Sequence, residues 1–349
     1  MNNMRVGVNF DGIKIAEPQN RQRIKPPTNY IGDSFKIFSE NEIYCLRIPF
    51  YWESYERDPI GFMDELNEIA KEADSNKIMC IYDNHQWECS SLLGRGRGFP
   101  NSLMSILFQK KYSVGTNSLD CPKKSDLELF WNQWWNRKLV DSENNDGWDL
   151  QKDFLKKVIT KLDDRKSTLG FEILNEPQVF RGSDFKRVSE YNNFIIKDLD
   201  EYTEKPFFFS YVYSNTAKSV GFPWRQAKIK PTVKTKNTLI FDVHPYPPYI
   251  IVLLYYKLIS LLLNSSIIFA GEYNSGVGKN TKINRGQHLQ YVKKFMDFSY
   301  YGAAFWWWSF EHDDSHPSFN LNNVIENRIH PNENFEYLVK SLKKNTNKK

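Results

Sequence analysis

The 349-residue chain is poor in cysteine, with only Cys45, Cys80, Cys89 and Cys121. No two of these stand at the C-x-x-C spacing of a zinc module, which argues against a metal-stapled fold. Cys45 and Cys80 lie in apolar runs and read as buried thiols. Cys89 and Cys121 fall in a loop-like region, where pairing stays open. An excess of one charge is also missing. Lys and Arg number 47 against 42 Asp and Glu, a formal balance of +5. The basic residues are spread along the chain apart from a solvated lysine-rich tail (344–349), so no nucleic-acid footprint is expected. No uninterrupted apolar run reaches the ~18 residues of a spanning helix. The most apolar window, 249–271, is broken by Lys257 and by Asn264-Ser265-Ser266, and is read as a buried helix followed by a buried strand. The opening MNNMRVGVNF lacks the charged-then-apolar order of a signal peptide, and the compartment stays open. No internal repeat or low-complexity segment stands out.

What is present is globular: 40% apolar and 26% charged residues, with 15% aromatic and 10 Trp, enough for a large core or for flat ligand platforms. Eight short apolar runs recur at 5–10, 43–50, 78–85, 169–176, 206–213, 238–246, 267–273 and 303–310. Several are nearly continuous in apolar character, as strands buried on both faces require. Helical periodicity marks 62–77, 148–164, 184–202, 250–263, 283–301 and 333–343 between or after them, with a weak helix before the sixth run that Pro231 interrupts. Strand–helix alternation predicts parallel βαβ units, and eight of them close most economically into a (β/α)8 barrel. A doubly wound sheet is disfavoured, since VNFDGIK after the first run has no glycine-rich phosphate turn. The chain is read as one barrel domain over 1–349, with long insertions after strand three (86–147) and strand eight (309–332).

The C-terminal tips of these runs carry polar and aromatic residues: Arg47; Asp83, Asn84 and His85; Asn175 and Glu176; His244 and Tyr246; Glu272 and Tyr273; Trp306 to Trp308. In a barrel they converge on one mouth. Two glutamates at the ends of strands four and seven could flank a glycosidic bond, one protonating the leaving oxygen while the other attacks the anomeric carbon.

With LRIPF, DNH, FEILNEP, HPY, AGEY and FWWWSF in this order over residues 5 to 310, the chain resembles glycoside hydrolase family five, the cellulase-like clan A barrels. The resemblance implies Glu176 as acid/base and Glu272 as nucleophile. It implies that Asn175 bonds the sugar 2-hydroxyl, that Arg47 keeps Glu272 ionised and oriented, and that Tyr246 donates to Glu272. His244 would help Glu176 recycle its proton and His85 would contact sugar hydroxyls. Trp308 would stack beneath the sugar, with Trp306, on the same face by strand parity, as its substitute.

Trp52 and Trp87 directly follow strands two and three and are further platform candidates. Trp131, Trp134 and Trp135 are read as helix packing of the insertion, Glu172 as a structural carboxylate too deep for the mouth, and HDDSH (312–316) as a loop rather than a metal site. The expected function is a retaining hydrolase of β-1,4-glucan-type polysaccharide, without cofactor or metal, acting as a monomer on an oligo- or polysaccharide. A mannanase or a glycosylceramide-type glycolipid glycosidase shares the chemistry, with membrane-surface contact through 250–263 the lesser expectation. A catalytically inactive carbohydrate-binding protein is the rival of another class. Family habit suggests secretion.

Overall fold

The eight apolar runs become strands because helices or barrel interior cover both of their faces. The computed structural model describes residues 6–12, 26–93, 96–108, 123–212, 223–244, 249–263, 268–272, 300–309 and 320–346. Its strands β1 (Val6–Asp11), β2 (Cys45–Phe50), β3 (Met79–Asn84), β4 (Thr168–Glu172), β5 (Phe207–Ser210), β6 (Leu239–Val243), β7 (Ile268–Ala270) and β8 (Tyr300–Ser309) pair in chain order and close β8 onto β1. Every pairing around the ring is parallel. The protein is a (β/α)8 barrel.

Between the strands lie α1 (Tyr30–Glu40), α2 (Trp52–Arg57), α3 (Pro59–Asn76), α4 (Asn101–Phe108), α5 (Lys124–Trp135), α6 (Gly147–Leu162), α7 (Asp184–Leu199), α8 (Pro223–Gln226) and α9 (Tyr249–Leu262), and after them α10 (Glu333–Thr346). Capping sets the starts. Asp58 accepts from Gly61 N at 2.9 Å with Pro59 in the first turn, so α3 begins before its apolar period. Asp146 does the same for α6, accepting from Trp148 N at 2.8 Å. The weak helix shrinks to α8 and one 3₁₀ turn, ending before Pro231. The helix expected over 283–301 lies outside the described residues except for Tyr300 and Tyr301, which belong to β8. The fourth run also differs: its ladder ends at Glu172, four residues short of Glu176.

Inside the barrel the side chains stack in layers. Cys45, Ile81, Leu169, Phe208, Ile240 and Phe269 form an apolar plug. The next inward position on β2, β3 and β6 carries Arg47, Asp83 and Asp242, all buried. Outside, the insertion after β3 is bound to the barrel by aromatic packing. Trp131, Trp134 and Trp135 are buried; Trp135 Nε1 donates to Gln178 O at 2.8 Å, and Trp148 Nε1 on α6 donates to Trp134 O at 3.0 Å. After β8 a hairpin, β9 (Asn322–Ile325) and β10 (Arg328–Pro331), turns at Glu326 and Asn327, both with positive φ, as a two-residue hairpin loop requires. The helix α9 buries Tyr256 and Ile259 but leaves Leu254, Leu258, Leu261 and Leu262 exposed.

Candidate active site

Arg47 is the hub of the charged layer. Its Nε donates to Glu172 Oε2 at 2.9 Å and its Nη1 to Asn9 Oδ1 at 3.0 Å and Glu272 Oε1 at 3.1 Å. Its Nη2 donates to Asn175 Oδ1 at 2.8 Å and lies 3.0 Å from Asp83 Oδ2 and 3.7 Å from Asp242 Oδ2. Burial pulls its pKa down, but Asp83, Glu172, Asp242 and Glu272 outweigh burial and lift it well above the usual value, so Arg47 stays charged. Glu172 shifts in the same direction, which for a carboxyl favours the neutral form. Burial, with Asp83 and Asp242 beside it, holds its carboxyl well above the usual range against the opposing pull of Arg47. One guanidinium does not neutralise so many buried carboxylates.

Above this layer stand the two glutamates. Oxygens of Glu176 and Glu272 and Nδ1 of His244 all lie within 4.8 Å of one another. His244 Nδ1 is 2.6 Å from Glu176 Oε1 and 3.7 Å from Glu272 Oε2, and its Nε2 is 3.2 Å from Asp242 Oδ2. Burial would lower the His244 pKa, yet Glu272, Asp242 and Glu176 raise it well above the ordinary value. Tyr211, just beyond β5, donates its hydroxyl to Glu176 Oε1 at 2.7 Å. Gly271 has to be glycine, because a Cβ there would stand 2.2 Å from Asp242 Oδ2.

The chain from β4 to Glu176 solves a geometric problem. Neighbouring residues of a strand point to opposite faces, yet Asn175 reaches Arg47 while Glu176 reaches His244. Glu176 manages this with φ 39°, in the left-handed region. Gln86 braces the turn, its Nε2 donating to the carbonyls of Asn175 at 2.9 Å and Glu176 at 2.7 Å. Ser210 Oγ accepts from Glu176 N at 3.1 Å and Asn84 O from Asn175 N at 3.0 Å. Asn175 Nδ2 donates to Gln86 O at 3.1 Å and faces His85 Nε2 at 3.4 Å. His85 Nδ1 sits 2.6 Å from Asp83 Oδ2, the contact of an Nδ1–H donor.

The tryptophans correct the sequence reading. Trp308 is 0% exposed. It packs edge-on against Phe38 of α1 and Phe335 of α10, and its Nε1 donates to Ser34 Oγ at 2.8 Å. It points away from the mouth and cannot be a sugar platform. The cause is a register slip: Val8 pairs with Phe305 but Asn9 with Trp307, so the ladder skips Trp306. Parity counted along β8 therefore fails, and Trp307, half-buried and edge-on to His85 at 5.5 Å, takes the inward place beside Asn9. The side chain of Trp306, expected as the substitute, lies outside what is described. Trp52 is a second correction: it is buried and stacked on Phe154 at 5.8 Å, because it opens α2 and faces the helix layer. Trp87 is half-buried on the loop after β3, with Arg97 over its ring at 5.8 Å. Tyr246, Tyr273, Cys121 and the HDDSH stretch lie outside the described residues, and Cys89 is a buried free thiol.

Sequence reasoning passed over Asn9, Gln86, Tyr211 and Asp242, and named Trp307 only as one of the three strand-tip tryptophans. Tyr211 lies inside the fifth apolar run, and Asp242 shares the parity of His244; the other three need the register. Glu176, His244 and Glu272, or Glu172, Asp242 and His244, are the described groups spaced to take a metal ion.

The family model Cellulase (glycosyl hydrolase family 5) matches residues 8–313. No curated protein matches the chain. Among solved structures, endo-glycoceramidase II from Rhodococcus sp. superposes with a TM-score of 0.65 at 12% identity, covering 97% of this chain and 78% of that one. Its ganglioside GM3 complex gives 0.63 at 12% identity over 89% and 76% of the two chains. The endoglucanase Cel5A of Pseudomonas stutzeri, also solved with cellobiose, gives 0.61 at 14% identity over 97% and 92%.

Proposed function

The chain belongs to glycosyl hydrolase family 5 and is a glycoside hydrolase, and we propose that it is a retaining enzyme cleaving β-1,4-glycosidic bonds of a glucan-type polysaccharide by double displacement. The observation that carries this reading is the convergence of Glu176 and Glu272 on one imidazole, His244 Nδ1 lying 2.6 Å from Glu176 Oε1 and 3.7 Å from Glu272 Oε2. Two carboxyl groups gathered that closely suit the nearer spacing of a retaining pair. Glu272 attacks the anomeric carbon and forms a glycosyl ester while Glu176 gives its proton to the leaving oxygen. Glu176 then takes a proton from the water that breaks the ester, freeing Glu272. Arg47, at 3.1 Å, favours the ionised form of Glu272. Tyr211 and His244 orient Glu176. The long Asn175–His85 contact of 3.4 Å is the one a sugar 2-hydroxyl would take over, and Trp307 offers a ring edge beside it.

Proton NMR of the first-formed product should show retained anomeric configuration. Glu272→Gln should lower kcat by ~10³-fold or more with the fold intact, and azide should restore part of the activity of Glu272→Ala. Inversion, or near-normal turnover by Glu272→Gln, would overturn the reading.

A second substrate reading, a glycolipid with the same bond chemistry, is favoured by the exposed leucines of α9. A panel of soluble β-glucan, mannan and glycosphingolipid separates the two.

A further inference from the structure

The outer face of α9 is apolar where a soluble helix is usually polar. Leu254, Leu258, Leu261 and Leu262 are 63%, 45%, 66% and 46% exposed, and Trp224 on the adjacent α8 is 50% exposed. Positions 254, 258, 261 and 262 are four, three and one residues apart, so they form one stripe along the helix. The opposite face is anchored: Tyr256, Ile259 and Leu263 are buried, and Tyr256 Oη reaches His244 O at 3.4 Å. The stripe is therefore held in fixed relation to the site.

Its charge surroundings choose the occupant. Between Pro223 and Leu263 the sequence carries Arg225, Lys228, Lys230, Lys234, Lys236 and Lys257 against the single acid Asp242, and that acid is buried inside the barrel. Lys230 Nζ donates to Leu263 O at the end of α9, and Lys236 pairs with Glu204. Lys228 and Lys257 are exposed, Lys257 one turn from Leu254 and Leu261 on the helix surface. No helix among the described residues is long and apolar enough to cross a membrane. A leucine stripe with an aromatic neighbour, in a segment whose six basic residues stand against one buried acid of its own, is the composition of a helix lying in the interface of an anionic bilayer.

We propose that the α8–α9 face docks on an anionic membrane surface, with the leucines of α9 dipping into the headgroup region and the surrounding Lys and Arg meeting lipid charge. Docking sets the wall of the barrel on the bilayer, with Tyr256 on the inner face of the docked helix in contact with His244 of the site.

Co-sedimentation of the full chain with vesicles of phosphatidylcholine and phosphatidylserine, in about a 7:3 ratio, tests this against phosphatidylcholine alone. The wild type should pellet with the anionic vesicles and be released by salt. The double variant Leu258→Gln/Leu261→Gln should partition about tenfold less or weaker still, while its melting temperature and its turnover of a soluble glycoside stay those of the wild type. Failure of the wild type to pellet, equal binding to neutral vesicles, or equal binding by the variant would overturn the proposal. So would a dimer in solution that the double variant dissociates, which would make the face a contact between two copies. Glycoside hydrolysis is read separately on the soluble substrate, so loss of that activity bears on the catalytic reading and leaves the docking result standing.

Discussion

At the residue scale the site turns on the backbone of Glu176. A glutamate at φ 39° is strained by about 1–3 kcal/mol, and such strain persists only where neighbours over-determine it. Here Gln86 holds both flanking carbonyls and Ser210 holds the amide. Gln86→Met keeps the volume and removes both donors. Its expected effect is a ~10–100-fold loss of kcat with KM little changed, because Glu176 swings away from the reacting oxygen; unchanged kcat would show that the turn holds itself. This is also where sequence reading stops. Glu176, Glu272 and His244 are legible because each stands at or near the end of an apolar run, and Arg47 because it is the one charge inside its own run. The left-handed turn that lets Asn175 and Glu176 serve one mouth leaves no mark in the letters Asn-Glu-Pro. Gln86 has none either, since a loop glutamine looks the same whether it braces a backbone or faces water.

At the scale of elements, β8 shows why a correct strand assignment can give a wrong side-chain assignment. Eight buried runs separated by amphipathic segments are enough to read a barrel, and period-two alternation places Arg47, Asp83 and Asp242 in one inward layer. One slipped residue between Val8 and Asn9 reverses the count on the neighbouring strand, and three consecutive tryptophans offer no compositional cue to the slip. The consequence is a pair of opposite mutants. Trp308→Ala removes a buried ring wedged among Phe38, Phe335 and Ser34 and should cost about 3–5 kcal/mol in denaturant unfolding. Trp307→Ala, at a half-buried mouth position, should cost far less stability but raise KM or lower kcat on oligosaccharides. If Trp308→Ala proved the stable, catalytically impaired variant, the register of β8 would be wrong.

For the whole molecule, buried ionisable groups couple stability to pH in one direction. Glu53 on α2 is buried and accepts from Gly98 N at 2.8 Å and Ser91 N at 3.2 Å, holding the loop that carries Gln86 and Trp87. Burial, outweighing those hydrogen bonds, pushes its pKa up to about 7. A carboxyl whose folded pKa lies above its unfolded value takes up a proton on folding. Its contribution to stability is then fully present below the unfolded pKa near 4.5 and is lost as pH rises through about 7. The loss amounts to about 3 kcal/mol by the top of that window. His244 and Glu172, both raised, act with the same sign. The melting temperature should therefore fall between about pH 5 and about pH 8. Glu53→Gln keeps an acceptor for the loop but cannot ionise, so its melting temperature should fall less over that interval and exceed the wild-type value at the alkaline end. A variant with the wild-type slope would mean that Glu53 is ionised in the folded protein throughout, with its loop hydrogen bonds strong enough to offset burial.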